Sequence, residues 1–161
     1  RTRFMREVTE VVTEVWGADR VGIRLSPFSA ANNLSDSDPM PLFERAVDIL
    51  NGFGLAYLHM VEGQTGGARE LDEGLSIEAL RARFDGVYMA NNGYDRELAI
   101  ETVESGRADL VAFGRPYIAN PDLAERLEKN APLNEPDSAT FYGGGAKGYT
   151  DYPALSETEA A

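Results

Sequence analysis

The chain has 161 residues, 43% of them hydrophobic, with 27 acidic against 15 basic side chains and a formal net charge of -12. That is enough for one domain with a real core, and it argues against both a disordered chain and the basic surface that a nucleic acid or an anionic membrane requires, so an anionic ligand must be held by local groups. Cysteine is absent, which removes disulfides and thiolate metal sites and fits a reducing cytoplasm.

No stretch approaches the roughly 18 apolar residues of a membrane span, and the first residues lack the apolar segment of a signal peptide. The first residue is Arg1 rather than Met and the chain opens inside an amphipathic helix, so it reads as a piece of something longer. In residues 2 to 16, Phe4, Val8, Val11, Val12 and Val15 recur at helical spacing among charges, which predicts a surface helix packed on a core and ended by Gly17. Val21-Gly-Ile-Arg-Leu-Ser-Pro27 is a strand with Arg24 among apolar neighbours; a charge there needs a partner, either an acid such as Asp36 or a ligand at the strand ends. Asp38-Pro39 opens a second helix with Leu42, Phe43, Ala46, Val47, Ile49 and Leu50 as its buried side.

Leu55-Ala-Tyr-Leu-His-Met-Val61 is the next strand, followed by a glycine-rich, flexible loop from Glu62 to Gly74 and a short helix capped by Ser76. Gly86-Val-Tyr-Met-Ala90 is the third strand; the turn Asn91-Asn-Gly-Tyr94 leads to a helix capped by Asp95 and stopped by Gly106. Leu110, Val111, Ala112 and Phe113 form an apolar run, the pattern of a strand covered on both faces. Gly114-Arg115 then makes a turn, with Asn120 as N-cap and Pro121 as first residue of a helix reaching about Lys129. Residues 1–131 thus hold a leading helix and four strand-helix units, and 132–161 an irregular aromatic, glycine-rich tail of the same domain.

Alternating strands and helices of this length make a parallel sheet with right-handed crossovers. It can be half of an eight-stranded barrel, whose complete form needs ~250 residues, or an open flavodoxin-like sheet, which would be a stable, soluble monomer. Both place ligands after the strands, where Ser26-Pro27, Glu62-Gly63, Asn91-Asn-Gly93 and Gly114-Arg115 lie. Asn92-Gly93 and Gly114-Arg115 follow consecutive strands and combine close backbone approach with a guanidinium, the makings of a phosphate clamp. His59, the only histidine, has no second histidine or cysteine near it and reads as a hydrogen-bonded core residue rather than a metal ligand or base. Most of the tyrosines, Tyr94 and Tyr142 among them, read as packing residues with a bonded hydroxyl.

At Ile23-Arg-Leu-Ser-Pro27, Leu58-His-Met-Val-Glu62, Ala90-Asn-Asn-Gly-Tyr94, Phe113-Gly-Arg-Pro-Tyr-Ile-Ala-Asn-Pro-Asp-Leu123 and Phe141-Tyr-Gly-Gly-Gly-Ala-Lys-Gly-Tyr-Thr-Asp-Tyr-Pro153 the sequence resembles the Old Yellow Enzyme family, closest to its N-ethylmaleimide and nitrate-ester reductases. The resemblance implies an α/β fold, the C-terminal half (strands 5 to 8) of an FMN-dependent (β/α)8 barrel. Its members take hydride from NADPH or NADH and reduce activated C=C bonds of enones and maleimides, or nitro compounds. By that resemblance Arg24 lies against the pyrimidine side of the flavin, Asn92, Gly93, Gly114 and Arg115 hold the FMN phosphate, and Tyr142 lies near the dimethylbenzene edge. The family's proton donor and substrate-binding pair belong to the first half, so no catalytic residue and no metal ligand is expected here. The chain is then expected to work with a complementary N-terminal half barrel, or by self-association, on a small electrophilic alkene. The alternative is a non-catalytic FMN- or phosphate-binding module that needs a complementary chain.

Overall fold

The structure, a computed structural model, describes residues 1–156; the last five residues of the expected tail, 157–161, lie outside the described residues. The chain falls into two compact units, Arg1–Ala112 and Phe113–Ala161.

The first unit opens with helix α1 (Arg3–Trp16), ended by Gly17, whose φ of 84° is reached at little cost without a Cβ. Strands and helices then alternate: β1 (Gly22–Leu25), α2 (Pro39–Asn51), β2 (Tyr57–Val61), α3 (Ile77–Arg81), β3 (Tyr88–Asn91), α4 (Arg96–Glu104) and β4 (Leu110–Ala112). Of the expected helix starts, Ser76 and Asp95 form side-chain caps, whereas Asp38 sits at the N-cap of α2 without a side-chain bond. Ser76 Oγ accepts from the Ala79 amide at 3.0 Å and Asp95 Oδ1 from the Leu98 amide at 2.8 Å, each satisfying a first-turn donor that the helix leaves unpaired.

The sheet runs β1-β2-β3-β4 with every neighbouring pair parallel. This order decides between the two architectures. A flavodoxin-like sheet reverses direction at a switch point, so its strands are not in chain order, whereas a barrel adds each strand beside the one before. Register sorts the side chains onto two faces. Ile23, Leu58 and Tyr88 stand in one row, and Leu25, Met60, Ala90 and Val111 in another on the same face. Leu58, Met60 and Ala90 are fully buried there, with Ala46, Val47 and Leu50 of α2 and Leu80 of α3 buried in the same unit. The opposite face carries the row Arg24, His59, Met89, Leu110, which ranges from half-buried to exposed. One covered face and one open face is the layering of a barrel wall.

Two expectations are corrected by this layering, and one of two open readings is decided. The run ending in Phe113 is not covered on both faces: β4 is three residues long and Leu110 is 44% exposed, because it points to the open face. Of the two readings left open for Arg24, the buried ion pair with Asp36 does not form: Arg24 is exposed and Asp36 ion-pairs with Arg1; a charge on the open face keeps its water and does not demand a counter-ion. The apolar stripe of α1 is not packed on a core. Phe4 is 76%, Val15 72% and Trp16 65% exposed, and Thr9 is the helix's buried residue.

In the second unit, α5 (Arg115–Ala119) begins directly at Gly114, and α6 spans Leu123–Lys129. The expected helix from Pro121 is therefore preceded by a separate turn of helix, and Asn120 is the C-cap of α5 rather than the N-cap of α6, a place that Asp122 takes. Fully buried, Asn120 uses Nδ2 to bond the Pro116 carbonyl at 2.8 Å and Oδ1 to accept from the Asn134 amide at 2.8 Å. A carboxamide that serves as donor and acceptor at once both closes the end of α5 and ties it to the segment at Asn134. Arg126 completes the tie: Nε donates to Asp122 Oδ1 at 2.7 Å, Nη1 to the Pro132 carbonyl at 2.6 Å and Nη2 to the Pro153 carbonyl at 2.9 Å. Asp122 also accepts from the Leu155 amide at 2.6 Å. Burial pushes the Asp122 carboxyl up, but these bonds outweigh it and hold the group below its ordinary value. The described part of the tail, residues 132–156, is thus held by these hydrogen bonds, with one 3-10 turn at Ser138–Thr140 as its regular structure.

Candidate functional site

The open sheet face and the turns after the strands carry the expected site residues, and each unit contributes its own. In the first unit the site face is the row from Arg24 to Leu110. His59 stands beside Arg24 in register. Burial lowers the His59 pKa first and the Arg24 charge lowers it further, so the imidazole is neutral at neutral pH. Contrary to expectation its Nε2 is buried without a hydrogen-bond partner.

Strands β2 and β3 end level, Val61 opposite Asn91, and β3 and β4 likewise, Asn91 opposite Ala112. Asn91 Nδ2 donates to the Ala112 carbonyl at 2.7 Å, which ties the ends of β3 and β4. The next two residues both take positive φ, 112° at Asn92 and 65° at Gly93. Asn92 is buried, and its side chain is already committed: Nδ2 donates to the Glu62 carbonyl at 2.7 Å and Oδ1 accepts from the Gly66 amide at 3.1 Å. What Asn92 can offer a ligand is therefore its main chain, while its side chain fixes the loop after β2.

That loop, expected to be flexible, is tied on two sides. Gln64 donates through Nε2 to the Phe28 carbonyl at 2.8 Å and accepts from the Ala30 amide at 3.0 Å, and Ser29 and Thr65 share a hydroxyl hydrogen bond of 2.7 Å. Its first residue, Glu62, is the node that sequence reasoning missed. Tyr88 Oη donates to Glu62 Oε1 at 2.9 Å, and Tyr94 Oη and Arg69 Nη2 both donate to Oε2 at 2.7 Å. Burial raises both phenol pKa values and the Glu62 carboxylate raises them further, so both hydroxyls stay protonated as donors. The only sequence signal for this node was an acid directly after an apolar strand, with tyrosines at the start of the next strand and just beyond its end.

In the second unit, Gly114 has φ of -102° and leads into α5; a Cβ built there would meet nothing within 4 Å. Gly93 likewise has room, the nearest atom to a built Cβ being Arg69 Cδ at 3.7 Å. The glycines of both turns thus border open space, as a turn that receives a ligand against its backbone must. Tyr142 is 97% exposed, and its ring meets Phe141 edge-on at 6.1 Å. Among the described residues no three His, Asp or Glu side chains gather as a metal site, and no helix is long and apolar enough to cross a membrane.

A parallel sheet built in chain order, covered on one face and carrying glycine turns beyond its strand ends, defines a barrel-type α/β protein. Residues 1–134 match the NADH:flavin oxidoreductase / NADH oxidase family, and the chain belongs to it. It is 46% identical over 164 residues to 12-oxophytodienoate reductase 1 of Oryza sativa subsp. japonica, covering 99% of this chain and 43% of the relative. A solved structure of morphinone reductase in complex with tetrahydroNAD superposes with a TM-score of 0.85 at 46% identity, covering 96% of this chain and 41% of that one. The old yellow enzyme from Trypanosoma cruzi does so with a TM-score of 0.86 at 37% identity over 95% of this chain and 40% of its own. The resemblance to Old Yellow Enzyme therefore holds, as does the fold class: the sheet is part of a (β/α)8 barrel. The chain spans about two-fifths of the length of these relatives, and the family implies FMN as cofactor.

Proposed function

We propose that this chain is the FMN-holding part of an NAD(P)H-dependent oxidoreductase that reduces activated C=C bonds, as in enones and maleimides, or nitro compounds. The observation that carries the reading is the family match over residues 1–134, which includes every proposed cofactor contact except Tyr142. The chemistry FMN supplies when bound is hydride transfer, from a reduced nicotinamide to an electron-poor carbon. Arg24, exposed on the open face, would offer its guanidinium to the pyrimidine edge, where a fixed positive charge favours an electron-rich ring. The neutral His59 beside it adds no competing cation. Asn92 and Gly93 would offer main chain to the phosphate, Gly114 clearance, and Arg115 a bidentate charged fork. Tyr142 would present its exposed ring to the dimethylbenzene edge. Proton donation and substrate binding fall to a complementary N-terminal half barrel, so no residue of this chain is assigned a catalytic role.

The exposed apolar stripe of α1, a surface that a monomer rarely leaves uncovered, and the uncovered sheet face with its exposed Leu110 support a complementary part or self-association as the partner. NADPH and NADH are both proposed as reductant, and the cytoplasm as the setting. Spectroscopy on the chain combined with its complement is the test. A yellow complex bleached anaerobically by NADPH or NADH and reoxidised by an enone supports the enzyme; bound flavin that the enone leaves reduced supports the non-catalytic binding module. Failure to retain FMN with the complement present overturns the phosphate-site assignment.

A further inference from the structure

A cavity of about 360 Å³ lies in the first unit, lined by residues of α3, α4 and the loop after β2. Tyr88, which forms part of its wall, stands in the row of Ile23 and Leu58, so the cavity is on the covered face, away from Arg24 and the proposed flavin. Three buried polar atoms of its lining residues have no hydrogen-bond partner: Arg69 Nη1, Arg81 Nε and Thr102 Oγ1. Thr102 is only 2% exposed. Buried donors are almost always satisfied in folded proteins, and three left over around one cavity specify what belongs in it.

The charges agree. Arg69, Arg81 and Arg107 line the cavity, with Glu62 and Glu78 as its acids. Glu62 is already saturated by two phenols and Arg69, and Glu78 accepts from Ser76 at 3.0 Å. Arg107 reaches Glu101 at 2.8 Å and Arg81 reaches Asp109 at 3.4 Å, through Nη2 in both cases, which leaves the Arg81 Nε unused. Leu71, Ile77 and Ala82 supply apolar wall. The volume is at the small end of ligand pockets, roughly 300 Å³ and above. A dianion would meet the Glu62 carboxylate at close range, whereas a monoanion can take the spare donors with less repulsion.

We propose that this cavity binds a small organic monocarboxylate, its carboxylate on Arg69, Arg81 and Thr102 and its apolar body against Leu71, Ile77 and Ala82. The site is independent of the flavin reading.

Phenylacetate is the probe, titrated into the purified chain and followed by amide chemical shifts. Saturable shifts at Thr102 and Arg81 are expected, with the uncharged 2-phenylethanol binding about tenfold more weakly or worse, the loss expected for charge-assisted bonds. Thr102→Val should weaken binding about threefold to tenfold without lowering the melting temperature, since it removes a hydroxyl that has no partner; Arg81→Met should weaken it more. Excess FMN should not displace the probe. No saturable binding, equal affinity for the alcohol, unchanged affinity in both variants, or displacement by FMN would each overturn the proposal.

Discussion

Tyr88 of β3 and Glu62, the residue directly after β2, meet through a hydroxyl-carboxylate hydrogen bond of 2.9 Å with Tyr88 only 1% exposed. Because Tyr94 and Arg69 donate to the same carboxylate, the bond is one of three that keep a largely buried charge satisfied. Tyr88→Phe removes one donor and should cost about 1–2 kcal/mol of unfolding free energy. Glu62→Leu strands all three donors and should cost more, about 3–5 kcal/mol. Urea unfolding of both variants checks the order; equal costs would show that Glu62 does not unite the three groups.

His59 makes stability depend on pH in a definite sense. Its folded pKa lies below the ordinary 6.5 because burial, then the Arg24 charge, disfavours the cation. Just below pH 6.5 the unfolded chain therefore binds more protons than the folded one, so stability present above about pH 6.5 is lost as pH falls toward the folded value. Asp36 and Asp122, both lowered from 3.8, add acid sensitivity in a separate and lower window. His59→Gln should flatten stability between about pH 7 and pH 5 and leave the lower transition in place. An unchanged slope in the variant would remove His59 as the cause.

The strand-helix order, the caps at Ser76 and Asp95 and the stop at Gly17 could be read from sequence because each depends on residues within a few positions of one another. The exposed stripe of α1 could not, since helical periodicity says that an apolar face exists but not that anything in the chain covers it. Arg24 stayed open between an ion pair and a ligand for a related reason: a short apolar strand does not reveal that one face is open. The Glu62 node and the Asn120 clamp were invisible because their partners stand 26 and 14 residues away. Only register and loop path bring such groups together.

Arg126 is 2% exposed and spends three nitrogens on Asp122, Pro132 and Pro153. Arg126→Leu should leave the Asp122 carboxylate poorly compensated and cost about 3–5 kcal/mol locally. The Asn134 and Leu155 amides should then exchange with solvent far faster. Arg126→Lys keeps the charge but not the fork and should fall between. Hydrogen exchange resolved to these two amides is the measurement, and unchanged protection in the Leu variant would show that the tail is held elsewhere.

Gly93 separates space from backbone strain. A Cβ there would stand 3.7 Å from its nearest neighbour, an ordinary contact, yet φ is 65°. Gly93→Ala should therefore cost about 1–2 kcal/mol through the dihedral alone, and Gly93→Asn less, since Asn tolerates this region. If both cost the same in chemical denaturation, the left-handed conformation is not what selects glycine.

The sheet's strict chain order also governs how it can form. Each strand pairs only with its predecessor and successor, so every closure spans one helix and its loops, and the entropy of closing such loops varies only with the logarithm of their length. The sequence of assembly is then decided by what each pairing buries. The β2–β3 pair joins Leu58 to Tyr88 and Met60 to Ala90, all at most 1% exposed, whereas β4 adds the half-exposed Leu110. Assembly should start in the middle and spread outward, leaving β1 and β4 as the last strands to settle and the first to open, the growing edges at which further barrel strands would be added.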